Sequence, residues 1–178
     1  MPEIVTYRSL PDDDVLQAAA DVYLDAFSRP PYGETRDDQA AFLDRVRRYA
    51  AREGFRLVAA VDGSRLVGIG LAVVAHPGDW YRDQLASGMT PAEVDRWLAQ
   101  DCLEVVHLAV RPIAEGQGLG GRLLAALVAD PGAPTGVLTV SPLADRARRL
   151  YRRHGWSLVR EDVRVGDAEP VELMACEL

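Results

Sequence analysis

Leu108-Ala109-Val110-Arg111-Pro112 runs into Glu115-Gly116-Gln117-Gly118-Leu119-Gly120-Gly121 and then Arg122-Leu123-Leu124-Ala125-Ala126-Leu127. An apolar run ends at a proline, crosses a glycine-dense stretch and opens into an amphipathic segment. That order predicts a strand, a tight loop and a helix N-terminus. Glycine leaves backbone N–H groups open to a ligand because no Cβ stands in front of them. The helix dipole adds partial positive charge at the same point, so the loop suits a phosphate or pyrophosphate.

Working outward, elements alternate in type. Residues 3–9 read as a strand, and residues 11–27 as a helix with three aspartates in its first turn, where negative charge is favoured. Arg29-Pro30-Pro31-Tyr32-Gly33 breaks it. A second helix is expected over 35–52, with Ala41, Phe42, Val46 and Tyr49 facing inward. A hairpin follows, with strands at 55–61 and 66–75 and Asp62-Gly63 at the turn. The segment 76–101 is less regular, with one helix expected from the Thr90-Pro91 pair to Leu98. The strand 103–110 and the glycine loop lead to a helix ending by Ala129. Pro131-Gly132-Ala133-Pro134 makes a turn, 137–140 a short strand, 144–154 a helix, and 156–165 and 171–176 the last strands. The pattern predicts an α/β chain with a mixed, mostly antiparallel sheet and helices on both faces.

The chain has 178 residues, which fits one domain, 1–178, with a sizeable core. No apolar run approaches the roughly 20 residues a membrane helix needs. The first residues, with Glu3 and Asp12-Asp13-Asp14, lack the order of a secretory signal. Cys102 and Cys176 stand far apart in apolar contexts and read as reduced core thiols, which points to the cytoplasm. Three scattered histidines give a metal site almost nothing to use, so none is expected. Every one of the 20 basic residues is arginine, and the net charge is −7. That balance argues against a nucleic-acid partner and would attract a cationic small molecule.

Two motifs give the chain its resemblance to the GNAT-superfamily N-acetyltransferases, over essentially its whole length. The family's loop, Gln/Arg-x-x-Gly-x-Gly/Ala after a strand-ending valine, matches Val110 and Glu115-Gly116-Gln117-Gly118-Leu119-Gly120, with Glu115 in place of Gln or Arg. The later Ala-x-x-Leu-Tyr-x-x-x-Gly-aromatic motif matches Ala147-Arg148-Arg149-Leu150-Tyr151-Arg152-Arg153-His154-Gly155-Trp156. Ala144 stands where the family often has asparagine. The resemblance implies acetyl-CoA as cosubstrate. Its pantetheine arm would lie along Leu108, Ala109 and Val110, and its pyrophosphate on the amides of Gly116, Gln117, Gly118, Leu119, Gly120 and Gly121. Arg122, Arg146, Arg149 and Arg152 could offset the carboxylate at Glu115. A homodimer is common in the resembled family.

Gly116, Gly118 and Gly121 also satisfy the dinucleotide pattern G-x-G-x-x-G, with Asp145 as ribose ligand. The glycines do not follow the strand directly, however, and an antiparallel hairpin ends the chain, which weigh against a nicotinamide oxidoreductase. A third reading is a catalytically weak CoA-binding or sensor module, motivated by Glu115 and Ala144.

The implied chemistry is direct attack of a primary amine on the thioester in a ternary complex. The absence of a G-x-S-x-G elbow agrees with a route lacking a covalent nucleophile. The resemblance makes Tyr151 the group facing the departing thiolate, with a packed aromatic as the competing role. Glu104 lies where some members carry a glutamate base, acting directly or through a water. Strand alternation puts Glu104, Val106, Leu108 and Val110 on one face and Val105, His107 and Ala109 on the other, unless a bulge re-aims them. His107 reads as a core histidine and His154 as a helix C-terminal charge partner. The acceptor would be a small-molecule or peptide amine met by 28–36 and by the insertion or lid 76–101. The second segment brings Asp79, Trp80, Tyr81 and Asp83. Trp80 and Trp97 could equally pin that insertion to the core.

Overall fold

The computed structural model describes all 178 residues. Seven strands form a mixed sheet in the order β1-β2-β3-β4-β5-β7-β6, flanked by six helices. The chain resolves into two compact units, Met1–Val73 with Val105–Ala129, and Val74–Glu104 with Asp130–Leu178.

The first unit holds β1 (Glu3–Tyr7), α1 (Asp13–Phe27), α2 (Arg36–Tyr49), β2 (Arg56–Asp62), most of β3 (Arg65–Ala75), the end of β4 (Cys102–Val110) and α5 (Leu119–Val128). Asp12 caps α1 by accepting from the Val15 amide at 2.9 Å. Thr35 and Asp38 form a capping box on α2, and each such cap satisfies otherwise orphaned N–H groups. The two helices are tied by Gln39 Nε2 donating to Asp21 Oδ1 at 2.8 Å. Phe42 and Val46 are buried as expected, whereas Ala41 is exposed and Gln39 takes the buried place beside them. The hairpin pairs Asp62 with Arg65. Its turn is therefore Gly63-Ser64, one residue later than expected, because the positive φ of +61° falls on Gly63 as the first central residue.

Alternation on β3 assigns the two faces of this unit. Ile69, Leu71 and Val73 pack in the cluster built by Leu16, Ala19, Val22 and Tyr23 of α1 and Phe42 and Val46 of α2. Gly68 and Gly70 point to α5. A Cβ at Gly68 would stand 2.8 Å from Leu123 Cδ1, and one at Gly70 2.7 Å from Leu127 Cδ1. Two bare backbone positions let α5 lie close against the strand. The other end of α5 is closed by Arg56, only 2% exposed. Its Nη1 donates to the carbonyls of Leu127 at 2.9 Å and Ala129 at 2.8 Å. A cation there answers both the orphan carbonyls and the negative end of the dipole.

The second unit holds α3 (Trp80–Ser87), α4 (Pro91–Trp97), the start of β4, β5 (Thr135–Val140), α6 (Asp145–Arg153), β6 (Ser157–Val163) and β7 (Val171–Glu177). Strand β5 runs parallel to β4 through Cys102↔Thr135, Leu103↔Gly136 and Glu104↔Val137, and antiparallel to β7. The register gives two faces. Val137, Leu173, Ala175 and Cys102 join Leu85, Trp97 and Leu98 in one cluster under α3 and α4. The opposite face carries Gly136, Leu138, Glu172 and Met174 and receives α6. Both cysteines are free thiols; Cys102 is buried and Cys176 half-buried, and burial pushes the Cys102 thiol up to about 12. No helix is long and apolar enough to cross a membrane.

Helix α3 is the element the sequence hides. Only Arg82 and Leu85 of its eight residues are buried, too sparse for a helical period. Its aromatic and acidic residues go separate ways. Tyr81 Oη lies 2.8 Å from Thr139 Oγ1, and Trp80 stays 63% exposed. Asp79 accepts from the His76 amide at 2.8 Å and Asp83 from the Gly78 amide at 3.3 Å. Trp97 is buried in the cluster.

Candidate active site

The glycine loop belongs to the first unit. Leaving β4, the Arg111 amide donates to Val67 O at 2.9 Å. The Arg111 guanidinium donates to Leu66 O at 2.9 Å and pairs with Asp25 of α1. The strand exit is thus bound to β3 and α1 together. A 3₁₀ turn, Pro112–Ala114, follows. Gly116 and Gly118 then take φ of +79° and +75°, a region closed to most side chains. Gly118 is the N-cap of α5, and the first intrahelical bond comes from Arg122 N at 3.3 Å to Gly118 O. The amides of Leu119, Gly120 and Gly121 therefore precede the helical ladder. A Cβ built on Gly116 or Gly118 meets no heavy atom within 4 Å. The bare glycines face open space, which is what approach of a bulky polyanion requires. Leu108, Ala109 and Val110 lie beyond Glu104↔Val137, the last β4–β5 pair.

Arg122, expected near the anion, donates instead to Pro2 O at 2.8 Å. A cation does stand beside Glu115: Arg29, whose Nη2 lies 3.3 Å from Glu115 Oε1. It comes from the segment after α1, 86 residues back. No local pattern in the sequence points to that pairing.

His107 sits in this unit among aromatic rings, its centroid 5.3 Å from Tyr23 and 5.5 Å from Phe42. Val106 and Ala109 pack against the same cluster. The expected alternation therefore fails at Val106, since two successive residues turn to one side as in a bulge. Arg45 Nη1 lies 2.8 Å from His107 Nε2. A guanidinium only donates, so Nε2 accepts and Nδ1 carries the ring proton. Burial, and then the Arg45 charge, push this histidine down to about 3. Its folded value is below the unfolded one, so the stability this neutral ring gives is complete above about pH 6.5 and is lost as pH falls toward 3. Wild type should accordingly lose roughly 1–2 kcal/mol more than His107→Phe between pH 7 and pH 5. Urea midpoints at the two pH values measure it, and equal losses would contradict it.

Tyr151 and Glu104 belong to the second unit. Helix α6 ends in a Schellman motif that explains the spacing around Tyr151. Gly155 takes φ of +85°, the Trp156 amide reaches back to Tyr151 O at 3.1 Å, and the Gly155 amide to Arg152 O at 3.2 Å. Trp156 is thereby folded onto Tyr151, their ring centroids 6.2 Å apart, and both are buried. Trp156 in turn occupies the room above Gly136, where a Cβ would stand 2.8 Å from its Cη2. Arg148 fixes the helix to β7, with Nε and Nη2 each 2.7 Å from the two carboxylate oxygens of buried Glu172. Ala144 is the N-cap of α6 without a side-chain cap bond. His154 is exposed, its Nδ1 2.8 Å from Leu150 O at the helix C-terminus. Glu104 is buried on β4, and its pairing with Val137 places it on the face under α3 and α4. Within this unit, Glu104 and Tyr151 stand on opposite faces of the sheet. No cluster of three or more His, Cys, Asp or Glu side chains able to hold a metal ion exists.

The model of the Acetyltransferase (GNAT) family matches residues 15–156, and the chain belongs to that family. Solved structures share the fold along its whole length. PH1933 from Pyrococcus horikoshii OT3 is 20% identical over 99% of both chains, with a TM-score of 0.68. The ribosomal-protein-S18-alanine N-acetyltransferase from Escherichia coli is 18% identical over 99% of this chain and 94% of its own, with a TM-score of 0.64. The PaiA N-acetyltransferase from Thermoplasma acidophilum, solved in complex with coenzyme A, is 12% identical over 99% of both chains, with a TM-score of 0.65. No curated protein matches the sequence.

Proposed function

We propose that this protein transfers the acetyl group of acetyl-CoA to a primary amine of a small molecule or peptide. The reading takes residues 1–178 as one catalytic domain with 76–101 as an insertion. The observation that carries it is the loop whose glycines at 116 and 118 hold left-handed backbone, with open space in front, at the start of α5. Pyrophosphate binds the amides of Gly116, Gln117, Gly118, Leu119, Gly120 and Gly121, and the pantetheine amides pair with the β4 edge at Leu108, Ala109 and Val110. The amine nitrogen attacks the thioester carbon at the open end of the β4–β5 ladder, past Glu104↔Val137, where groups from both faces of the sheet can meet. Its proton passes to Glu104 through a water. The C–S bond breaks, and Tyr151 gives its hydroxyl proton to the departing thiolate. With ordinary values near 10 for tyrosine and 8.5 for a thiol, that transfer is uphill by roughly 2 kcal/mol. It therefore comes late, as the sulfur takes on charge. The protein works in the cytoplasm.

Calorimetric titration with acetyl-CoA, with NADH as control, tests the donor. Micromolar binding of acetyl-CoA alone is expected; binding of NADH alone would replace the reading with a nicotinamide enzyme. Gly118→Ala is expected to weaken acetyl-CoA about tenfold while costing the fold only about 1–2 kcal/mol for the left-handed backbone. Unchanged affinity in that variant would remove the pyrophosphate from this loop.

A further inference from the structure

The inference here rests on the acetyl-CoA reading and concerns the cation at the rim of the donor loop. Glu115 immediately precedes Gly116, and a carboxylate there lies within a Debye length of any phosphate on the loop and repels it. The structure answers that charge with Arg29, 3.3 Å away. The backbone around Arg29 is folded tightly. Its carbonyl accepts from the amides of Tyr32 at 3.1 Å and Gly33 at 3.4 Å, and the Glu34 amide closes onto Phe27 O at 2.9 Å.

The pair is poorly explained as a structural brace. The Arg29 side chain is 53% exposed, and ion pairs so open to water add little to stability. The neighbouring arginines of this unit have other employment: Arg122 holds the N-terminal segment at Pro2, and Arg111 is buried between Leu66 and Asp25. Arg29 remains as a guanidinium in contact with solvent beside the loop. Its contact with Glu115 goes through Nη2, and a guanidinium carries five N–H donors in a planar fork suited to phosphate oxygens.

We propose that Arg29 binds the pyrophosphate of acetyl-CoA, and that Glu115 serves as the tether holding its side chain beside Gly116. The glutamate is thus part of the anion site because it positions a cation. Arg29→Ala should weaken acetyl-CoA about tenfold, flatten the salt dependence of binding, and leave S-acetylpantetheine, which lacks the pyrophosphate, binding as before. Arg29→Lys should fall between, since an ammonium keeps the charge without the fork. Arg29→Glu should bind worst. Combining it with Glu115→Arg should restore affinity to within about threefold, because the exchanged pair again puts a cation at the rim.

Equal acetyl-CoA affinity in wild type and Arg29→Ala overturns the proposal. So does an equal loss for S-acetylpantetheine, or a charge-swapped variant no better than Arg29→Glu alone. If wild type itself fails to bind acetyl-CoA, the donor reading falls and takes this inference with it. If wild type binds and Arg29→Ala binds equally, only the role of Arg29 is lost. Melting temperatures of each variant, expected within about 2 °C of wild type for an exposed pair, show that the fold is intact.

Discussion

Tyr151→Phe is expected to lower kcat about a hundredfold while leaving the acetyl-CoA dissociation constant almost unchanged. The substitution removes one oxygen and keeps the ring. Packing against Trp156 and the Schellman closure through the Tyr151 carbonyl do not depend on the hydroxyl. Burial of the ring is retained too, so the stabilisation from its apolar area persists. On the proposed mechanism the variant also loses the proton for the leaving thiolate, and a positioned acid of this kind contributes typically 10²–10⁴-fold. Released CoA, read with a thiol reagent on the amine that an acceptor screen yields, gives kcat, and calorimetry gives donor affinity. The two numbers separate the candidate roles. A fall in kcat with constant affinity marks proton donation, whereas an unchanged kcat would return Tyr151 to packing alone and favour a CoA-binding module with weak turnover.

Arg56→Met is expected to destabilise the protein by roughly 3–5 kcal/mol, a large share of a typical domain's stability. Methionine fills most of the volume, so the loss is not chiefly a cavity. It arises because the carbonyls of Leu127 and Ala129 lose the donors at 2.9 and 2.8 Å, and a buried acceptor left without one costs about 1–3 kcal/mol. Helix α5 has no basic residue in its last turn to take over. Urea unfolding gives the size of the loss, and a change below about 1 kcal/mol would mean that water reaches those carbonyls.

The contrast between Arg56 and the glycine loop shows which parts of this molecule its sequence discloses. Gly116, Gly118 and Gly155 are legible because each marks a backbone conformation that other residues avoid, and all three have positive φ. The order of strand, loop and helix around them follows from that punctuation and from apolar runs of the right length. Arg56 and Arg29 are legible only in three dimensions. Each resembles every other arginine in a chain whose 20 basic residues are all arginine, and each meets its partner from a remote part of the chain, 71 residues away for Leu127 and 86 for Glu115. Helix α3 was hidden for a different reason, as two buried positions in eight leave no period to detect. Tyr151 stands out in the sequence only through its motif, and the structure supplies the physical cause of the spacing: a glycine four residues on is where the helix can turn an aromatic side chain back onto it.

The bare positions Gly68 and Gly70 set the height of the glycine loop above the sheet. Helix α5 rests on β3 through Leu123 and Leu127, with less than 3 Å between each leucine methyl and the point where a Cβ would be. A methyl group added at either glycine acts as a shim under the helix, and the rigid cylinder carries that displacement to its far end. The amides ahead of Arg122 would move with it, though nothing about the loop's own residues had changed. Misplacement of about 1 Å at a reacting centre can cost a hundredfold in rate. Residues outside the loop would then belong to its calibration as firmly as the glycines that form it.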